Sequence, residues 1–469
     1  MNMDRGDDSD RLAQEASVTE PARAVPVWGE WDVVVCGGGP AGWVAAVAAA
    51  RSGARTALVE QLGFPGGMAT AGLVGPMCKF RFRGERIVGG IPWEFVTRLS
   101  ARGAAIDNWP SGNVPFDAEA YKQAAQELLC EAGVDLLWHA RVCGCLGEGT
   151  PPTRLTHVLV ETHGGRQALA GRVFIDATGV GDLVARTGLP WQPRAAANEL
   201  QPMSLCFCLG GVDTSVWQTQ MREDQVRYRS LELGALLTEE VAAGRLKNFG
   251  GPWAVHGSTL RPGEVSVNAT RYAGSAVDPQ DFAVAETSLR RDVPVIVQAF
   301  RRHPAFRDVY LISTATQAGI RETRGIEGLH TLTAEDLLAP ALLEDTVALG
   351  GHPVDIHLPG SSEQKVRFLE RPYGIPYRAL VPRNAANLLA VGGCFAADRQ
   401  AFATARVQAQ CMAMGQAAGT AAALCVATGV GVAELPTGSL RQALQKAGAI
   451  LDCPETSNDY DRAAKEPMA

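Results

Sequence analysis

The sequence predicts an α/β fold that carries a second, inserted α+β domain. Three observations predict it. Between residues 31 and 60 a short apolar strand, a glycine-rich turn, an Ala/Val-rich helix and a second strand follow one another. Strands that end in small-residue turns return at residues 168–182 and 388–393. Between them, over residues 191–372, Trp, Arg, Pro and His become more frequent, and alternating segments mix with helical ones.

Each element has a physical reading. Residues 32–36 form a short buried strand that enters Gly37-x-Gly39-x-x-Gly42. Pro40 and Ala41 belong to this turn, an Ala/Val-rich helix follows it to about Ser52, and residues 56–60 form the next strand. In this Rossmann-like unit Gly37 permits the tight turn, Gly39 lets a pyrophosphate approach the backbone, and Gly42 lets the helix pack close to the strand. The helix N-terminus offers unpaired N–H groups and a positive dipole end. Glu60 ends the second strand at the spacing of an acid that binds a ribose hydroxyl. A loop rich in glycine follows, with Gly66, Gly67, Met68 and Thr70.

Lys79, Arg81, Arg83 and Arg86 form a basic patch that steers an anionic substrate or is simply a solvated loop. Residues 116–132 have helical periodicity with Asp117 as N-cap. Residues 134–138 and 141–143 read as strands, and 157–162 pairs with 168–175 around Gly164-Gly165. The run Asp176-Ala177-Thr178-Gly179-Val180-Gly181-Asp182 then returns the chain to the nucleotide. Within the insertion, 206–209 and 264–270 alternate, and 281–300 and 333–343 read as helices. Residues 403–425 form one long small-residue helix in which Gly415 and Gly419 permit close packing. The segments are a disordered leader (1–29), a nucleotide-domain segment (30–75), a substrate-side insertion (76–111), a second segment (112–190), the substrate domain (191–372), a third segment (373–440) and a C-terminal tail (441–469).

The chain has 469 residues and a formal net charge of −7, with no long Lys/Arg cluster, which disfavours nucleic acid as a partner. No apolar run approaches a membrane span, and the first residues lack signal-peptide order. The 11 cysteines are odd in number and scattered, as suits reduced thiols in a cytoplasmic protein. The pairs Cys143/Cys145 and Cys206/Cys208 have no zinc-spaced partner, so no metal is expected.

Several blocks carry a family resemblance: residues 36–42 with 64–70, 176–182, 319–324 (Gly-Ile-Arg-Glu-Thr-Arg), Asp355-Ile356-His357, and 373–377 with 392–398 and 414–422. Together they resemble the FAD-dependent oxidoreductase family of glutathione-reductase-type flavoproteins, related to fumarate-reductase flavoproteins, over roughly residues 30–430. The resemblance implies a Rossmann-like FAD-binding domain of glutathione-reductase type with an inserted α+β substrate domain, and FAD rather than NAD as cofactor. It further implies backbone approaches at Ala177, Thr178, Gly179, Asp182 and Gly393, and an adenine-flanking strand at Val142. Asp398 is implied on the ribityl chain or a flavin-side phosphate, and a helix N-terminus near Ala403 at the flavin pyrimidine. Relatives usually carry a Ser-Ala-Thr-like run and a small residue where this chain has residues 396–400, so Arg399 and Gln400 are expected to face a different substrate.

No second G-x-G-x-x-G with its strand and helix is found, so NAD(P)H has no obvious seat. The expected chemistry is direct oxidation of a small organic metabolite by hydride transfer to flavin N5, with oxygen or an electron carrier reoxidising the flavin. Arg321 and Arg324 lie three apart and on a helix would share a face; Arg321 is the candidate carboxylate clamp. Glu322 is a candidate base or the internal partner of an arginine. His357, two residues after Asp355 on a strand, is the candidate proton acceptor near neutral pH. His256 and His352 are weaker candidates, Tyr373 and Tyr377 are packing residues or substrate contacts, and nothing activates Cys78 for a covalent flavin link. The alternatives are a C=C reductase of fumarate-reductase type, a flavin monooxygenase, and a flavin-binding scaffold without turnover. A homodimer is the default assembly.

Overall fold

The structure, a computed structural model, describes residues 18–109, 111–149, 152–217, 231–256, 260–339 and 341–453. β1 is Val27–Cys36. α1 is Pro40–Arg51, with Pro40 at the first helical position, where its missing N–H is not needed. After β2 (Thr56–Val59), a ribbon of β3 (Arg81–Phe82) and β4 (Glu85–Arg86) leads into α2 (Gly90–Ala101). α3 (Ala118–Glu131) is capped as expected, the Asp117 carboxylate accepting from the N–H groups of Glu119 and Ala120. β5 (Asp135–Leu137), β6 (Arg141–Gly149), β7 (Pro152–Thr162) and β8 (Gly165–Asp176) complete the order β5-β2-β1-β8-β7-β6. β5, β2, β1 and β8 run parallel, and a late strand, Leu388–Ala390, adds in parallel to the end of β8. Cys36 pairs with Val59 and with Asp176, and Ala390 also pairs with Asp176. Four strand ends are therefore level at one edge, the edge where open α/β sheets bind ligands. The leader expected over 1–29 is shorter, because residues 27–29 already belong to β1; residues 1–17 lie outside the described residues.

A second unit follows α4 (Asp182–Thr187) and β9 (Trp191–Pro193). It consists of β10 (Phe207–Gly210), α5 (Leu231–Ala242), β11 (Trp253–His256), β12 (Val265–Asn268), α6 (Pro279–Phe300) and β13 (Tyr310–Thr314). Its sheet is antiparallel, in the order β11-β12-β10-β13. It has its own core, including Phe207, Leu237, Val267, Leu289 and Phe306, which ends at Ala318. β14 (Arg324–Ile326) returns to pair with β9. β15 (Thr346–Gly350), β16 (Val354–His357), β17 (Gln364–Arg367) and β18 (Tyr373–Pro376) follow. Val347, Leu349, Val354, Leu369 and Tyr373 pack into the first core, so the stretch 326–372 does not share the core of the expected substrate domain. The helix expected at 333–343 is only a 3-10 turn, Asp336–Leu338. There the Thr333 N–H donates to the Asp336 carboxylate at 2.9 Å, a local bond that competes with helix propagation.

The chain ends with β19 (Leu388–Ala390), α7 (Arg399–Ala405), α8 (Gln408–Thr428) and α9 (Thr437–Lys446). The single helix expected over 403–425 is broken at Val407, which is extended (φ −75°, ψ 157°). The break lets Thr404 donate to the His352 carbonyl and Arg406 to the Asp355 carbonyl, tying α7 to β16. α8 is long and apolar enough to cross a membrane by length and composition, which the sequence reading missed; 72% of that window is buried inside the fold. The expected tail is also partly structured: Leu444 and Leu451 are buried in the first core. Residues 454–469 lie outside the described residues.

α8 lies directly on α1. A methyl on Gly415 would sit 2.1 Å from the Ala41 carbonyl oxygen, and one on Gly419 would sit 2.1 Å from that of Ala45. Because 415 to 419 tracks 41 to 45, the two helices run in the same direction. Gly419→Ala is expected to destabilise the protein by about 1–3 kcal/mol through overpacking, read as a lower urea midpoint with an unchanged slope.

Candidate active site

Three turns meet at the level edge of the parallel sheet. Gly37 has φ 102°, and a methyl there would lie 2.4 Å from the Ala177 carbonyl oxygen. A methyl on Gly42 would lie 1.7 Å from the Gly37 carbonyl oxygen, and one on Gly393 would lie 2.1 Å from that of Gly179. Backbone meets backbone here with no room for a side chain. By contrast, the positions a methyl would take on Gly39 and Gly179 have no neighbouring atom within 4 Å, leaving open space above the turns.

Glu60 is only 6% exposed and ends β2 beside this space. Its carboxylate accepts from the Gly38 N–H at 2.6 Å and the Leu62 N–H at 2.8 Å, one bond to each oxygen. Each oxygen keeps acceptor capacity for a ribose hydroxyl. Burial pushes the Glu60 carboxyl up, and the backbone N–H groups of Leu62 and Gly38 act against it. The Gly66 N–H donates to the Gly38 carbonyl at 2.8 Å, and Gly67 lies against Gly39, so the 66–70 loop closes one side. Ala140 donates to the Glu60 carbonyl at 3.0 Å, which brings Val142 and the start of β6 to the same corner. These features fit FAD. Gly39, Ala41 and Gly179 would flank its diphosphate, and Glu60 would take the ribose.

Several expected cofactor contacts have other duties. The Thr70 hydroxyl donates to the Pro65 carbonyl at 2.9 Å. Thr178 donates to buried Asp176 at 2.7 Å and accepts from the Asp182 N–H at 2.8 Å, so it shapes its turn rather than facing a ligand. The Asp182 carboxylate pairs with Arg186 at 3.0 Å and Arg324 at 3.5 Å. Asp398 is the N-cap of α7, its oxygens accepting from the Ala401 N–H at 2.8 Å and the Ala334 N–H at 2.7 Å, one bond to each. Ala403 is buried inside α7 and opens no helix. The helix start that does project past the cradle is Gln408 of α8. Seven residues before Gly415, it lies about 10 Å beyond the level of Ala41 at 1.5 Å per residue.

Around that helix start the fold gathers a cationic cluster. The Gln408 side-chain amide donates to the Val74 carbonyl at 2.5 Å, fastening α8 to the loop that leaves the cradle. Arg321 lies in irregular chain before β14, not on a helix, and donates to the Pro202 carbonyl at 2.5 Å and the Ser204 hydroxyl at 2.9 Å. Arg271, only 6% exposed, donates to the same Ser204 hydroxyl, to Asn268 at 3.0 Å and to the Thr270 carbonyl at 2.9 Å. Its guanidinium lies 5.2 Å from the Trp253 ring centroid and against the backbone of Gly250. Arg406 lies 3.8 Å from the Asp355 carboxylate. Among the described residues, Arg271 and Arg321 form no ion pair with a carboxylate. Two guanidinium groups converging on one hydroxyl repel, by on the order of a few kcal/mol at an effective dielectric of 20.

Burial first, and this field second, set the protonation of these groups. Burial lowers Arg321 to about 10, and burial pushes Arg271 well below its ordinary value. Burial, then the charge of Arg321, lowers His357 to about 3. His357 is therefore neutral near neutral pH, the form that can accept a proton, but a weaker base than expected. Its Nε2 lies 3.2 Å from the Asp355 carboxylate and its Nδ1 lies 3.4 Å from Arg271. Nε2 thus carries the hydrogen, and Nδ1 is left as an acceptor. Burial pushes Asp355 up, but the His357 hydrogen bond and nearby charges outweigh it and hold the carboxyl below its usual range. Burial lowers His352 to about 4, and its Nδ1 lies 2.7 Å from the Pro353 carbonyl.

The remaining candidates separate. Glu322 is buried and accepts from the Gln201 backbone at 2.6 Å, the Gln201 side chain at 2.8 Å and Arg399 at 3.0 Å, so it is an internal arginine partner rather than a free base. Arg324 stacks 5.0 Å from the Trp191 ring centroid at the 176–182 turn, apart from Arg321. Tyr373 bonds Thr404 at 3.0 Å and Tyr377 bonds the Val432 carbonyl at 2.8 Å; both are packing residues. Burial pushes the Cys78 thiol up to about 11. The basic patch is not merely solvated: Lys79 donates to the Ser111 carbonyl at 2.5 Å, and Arg81 and Arg86 lie over Trp93 at 5.2 and 4.9 Å. The His256 side chain lies outside the described residues. Ser204, Arg271 and Arg406 were missed from sequence. None stands in a motif, and Ser204 and Arg271 meet only across 67 residues of chain.

Residues 32–444 match the family model described as FAD dependent oxidoreductase. A 45-residue stretch is 53% identical to dihydrolipoyl dehydrogenase of Trypanosoma brucei brucei, covering 10% of this chain and 9% of that protein's length. The chain is similar to a solved geranylgeranyl bacteriochlorophyll reductase-like protein of Thermoplasma acidophilum, at 11% identity and TM-score 0.45, covering 89% of this chain and 96% of that one. A flavoprotein/dehydrogenase of Cytophaga hutchinsonii is similar at 15% identity and TM-score 0.43, over 88% and 83%. The p-nitrophenol 4-monooxygenase of Pseudomonas putida is similar at 12% identity and TM-score 0.42, over 88% and 84%.

Glu60→Ala is expected to weaken FAD binding on the order of 10–100-fold, measured by flavin fluorescence on titrating apoprotein, from the loss of charge-assisted bonds. The folded protein keeps His357 unprotonated far below its unfolded pKa, so this group makes stability fall as pH drops below about 6.5, by about 1 kcal/mol per pH unit. His357→Asn should flatten that part of the decline between about pH 6.5 and 4.5, measured by urea midpoints at each pH.

Proposed function

This chain belongs to the FAD-dependent oxidoreductase family, and on that premise we propose that it oxidises a small organic metabolite directly, with oxygen or an electron carrier as final acceptor. The observation that carries this reading is the count of nucleotide seats. Among the described residues, the parallel sheet has one glycine cradle, and the second sheet is antiparallel, with no helix-start cradle for a nicotinamide dinucleotide. Bound FAD supplies the two-electron acceptor.

The protein's own residues do the rest. Ser204, Arg271 and Arg321 orient the substrate beside the start of α8. Trp253, 5.5 Å from His357 and perpendicular to it, fixes that ring from one side, and the Asp355 carboxylate fixes its tautomer. His357 offers Nδ1 as the acceptor of the substrate proton once the substrate displaces the Arg271 N–H that lies 3.4 Å from it. Burial is the larger cause of its low pKa; an anion seated on the arginines offsets the smaller part that their charge contributes, and the base gains that much strength. A second reading, reduction of a C=C bond, has support in Arg321: burial brings its pKa to about 10, closer to the range of a usable proton donor.

Purified flavin-loaded protein should lose its yellow absorbance anaerobically with a hydroxy or amino substrate and keep it with NADPH. Fast bleaching by NADPH, with none by any candidate substrate, would overturn direct oxidation. His357→Asn should keep its flavin and lose turnover by about 10²–10⁴-fold, measured by single-turnover flavin reduction.

A further inference from the structure

We propose that the Ser204–Arg271–Arg321 cluster is the seat of a substrate carboxylate. This deepens the oxidation reading and rests on it for the word substrate, although the anion site itself does not. Two cations, one of them deeply buried, share a single neutral hydroxyl oxygen, and neither has a carboxylate partner among the described residues. Ser204 is itself committed, its hydroxyl donating to the Thr270 carbonyl at 2.8 Å, so it contributes no negative charge. The one acid in the cluster, Asp355, pairs through one oxygen with His357 and Arg406 rather than with Arg271 or Arg321, and its other oxygen is buried without a hydrogen-bond partner.

A second observation is independent of those two arginines. The buried Nε–H of Arg406 has no hydrogen-bond partner, so a third guanidinium donor also stands unused nearby. A buried cation without an anion is costly, and convergent guanidinium donors match the planar, two-oxygen shape of a carboxylate. His357 lies within 3.4 Å of Arg271, so a carboxylate held there places the rest of a small molecule against the imidazole.

The test uses flavin-loaded full-length protein, with sodium acetate as probe and sodium phosphate and sodium chloride at matched ionic strength as comparisons. Two readouts apply, perturbation of the bound flavin spectrum and thermal midpoint; neither needs turnover. Saturating acetate is expected to shift the spectrum and raise the midpoint by on the order of 2–4 °C. Arg321→Gln and Arg271→Gln should each lose that response. Arg321→Gln should also melt no lower than the parent in anion-free buffer, since it removes a repulsion. Equal responses to acetate and chloride, or a response to phosphate alone, would overturn the carboxylate assignment. So would a silent parent, or an Arg321→Gln protein that melts far lower than the parent without anion. Because flavin bleaching is not read, failure here is distinguishable from failure of the oxidation reading.

Discussion

Backbone-on-backbone contact at glycine is the constraint on which the rest of this structure depends. Gly42 against Gly37, Gly393 against Gly179, and Gly415 against Ala41 are approaches that no Cβ would permit. The first closes the turn from β1 into α1. The second brings the last strand of the sheet onto the Ala177–Gly179 turn. The third fixes the height of α8 relative to α1, which carries the start of α8 past the cradle. Arg406 and Gln408 reach the far side of the nucleotide seat only because two helices run in contact and in the same direction.

That placement creates an electrostatic problem which the fold leaves open. Most charged pairs of this chain are at its surface and contribute little, such as the Arg98 fork between Glu94 and Glu131. Inside, two carboxylates are well supplied with donors: Asp176 takes three at its turn, and Glu322 takes Gln201 and Arg399. The cluster at Ser204 breaks that rule in the cationic direction. Burial, helped by the charge of Arg321, holds His357 neutral, so a histidine beside an aspartate, ordinarily a raised base, is here a depressed one. A site that stores unfavourable charge in its empty state is poised to bind what relieves it, at a cost to the stability of the empty fold.

The nucleotide-binding half was legible because its signals are local. A strand, a glycine turn, a helix and an acid occupy adjacent positions in the chain, and the Asp117 cap and the Gly164-Gly165 hairpin are equally short-range. Errors arose where a local pattern was overruled by a distant partner. Residues 403–425 have the composition of one helix, but Thr404 and Arg406 bond to β16, and Val407 breaks the run. Arg321 and Arg324 look like one helical face, yet β14 pairs with β9 and sends them to different corners.

The amino-acid order alone determined the cradle, its acid and the family, because the phosphate-binding turn and the ribose contact need particular residues at fixed short spacings. Tertiary structure alone decided what stands opposite. Ser204, Arg271, Arg321 and His357 come from β10 and β12 flanks, an irregular segment and β16, and they meet through packing of two cores rather than through any spacing in the chain. Charge, burial and protonation at that meeting point depend on distances between strangers in sequence, and those distances exist only once the chain has folded.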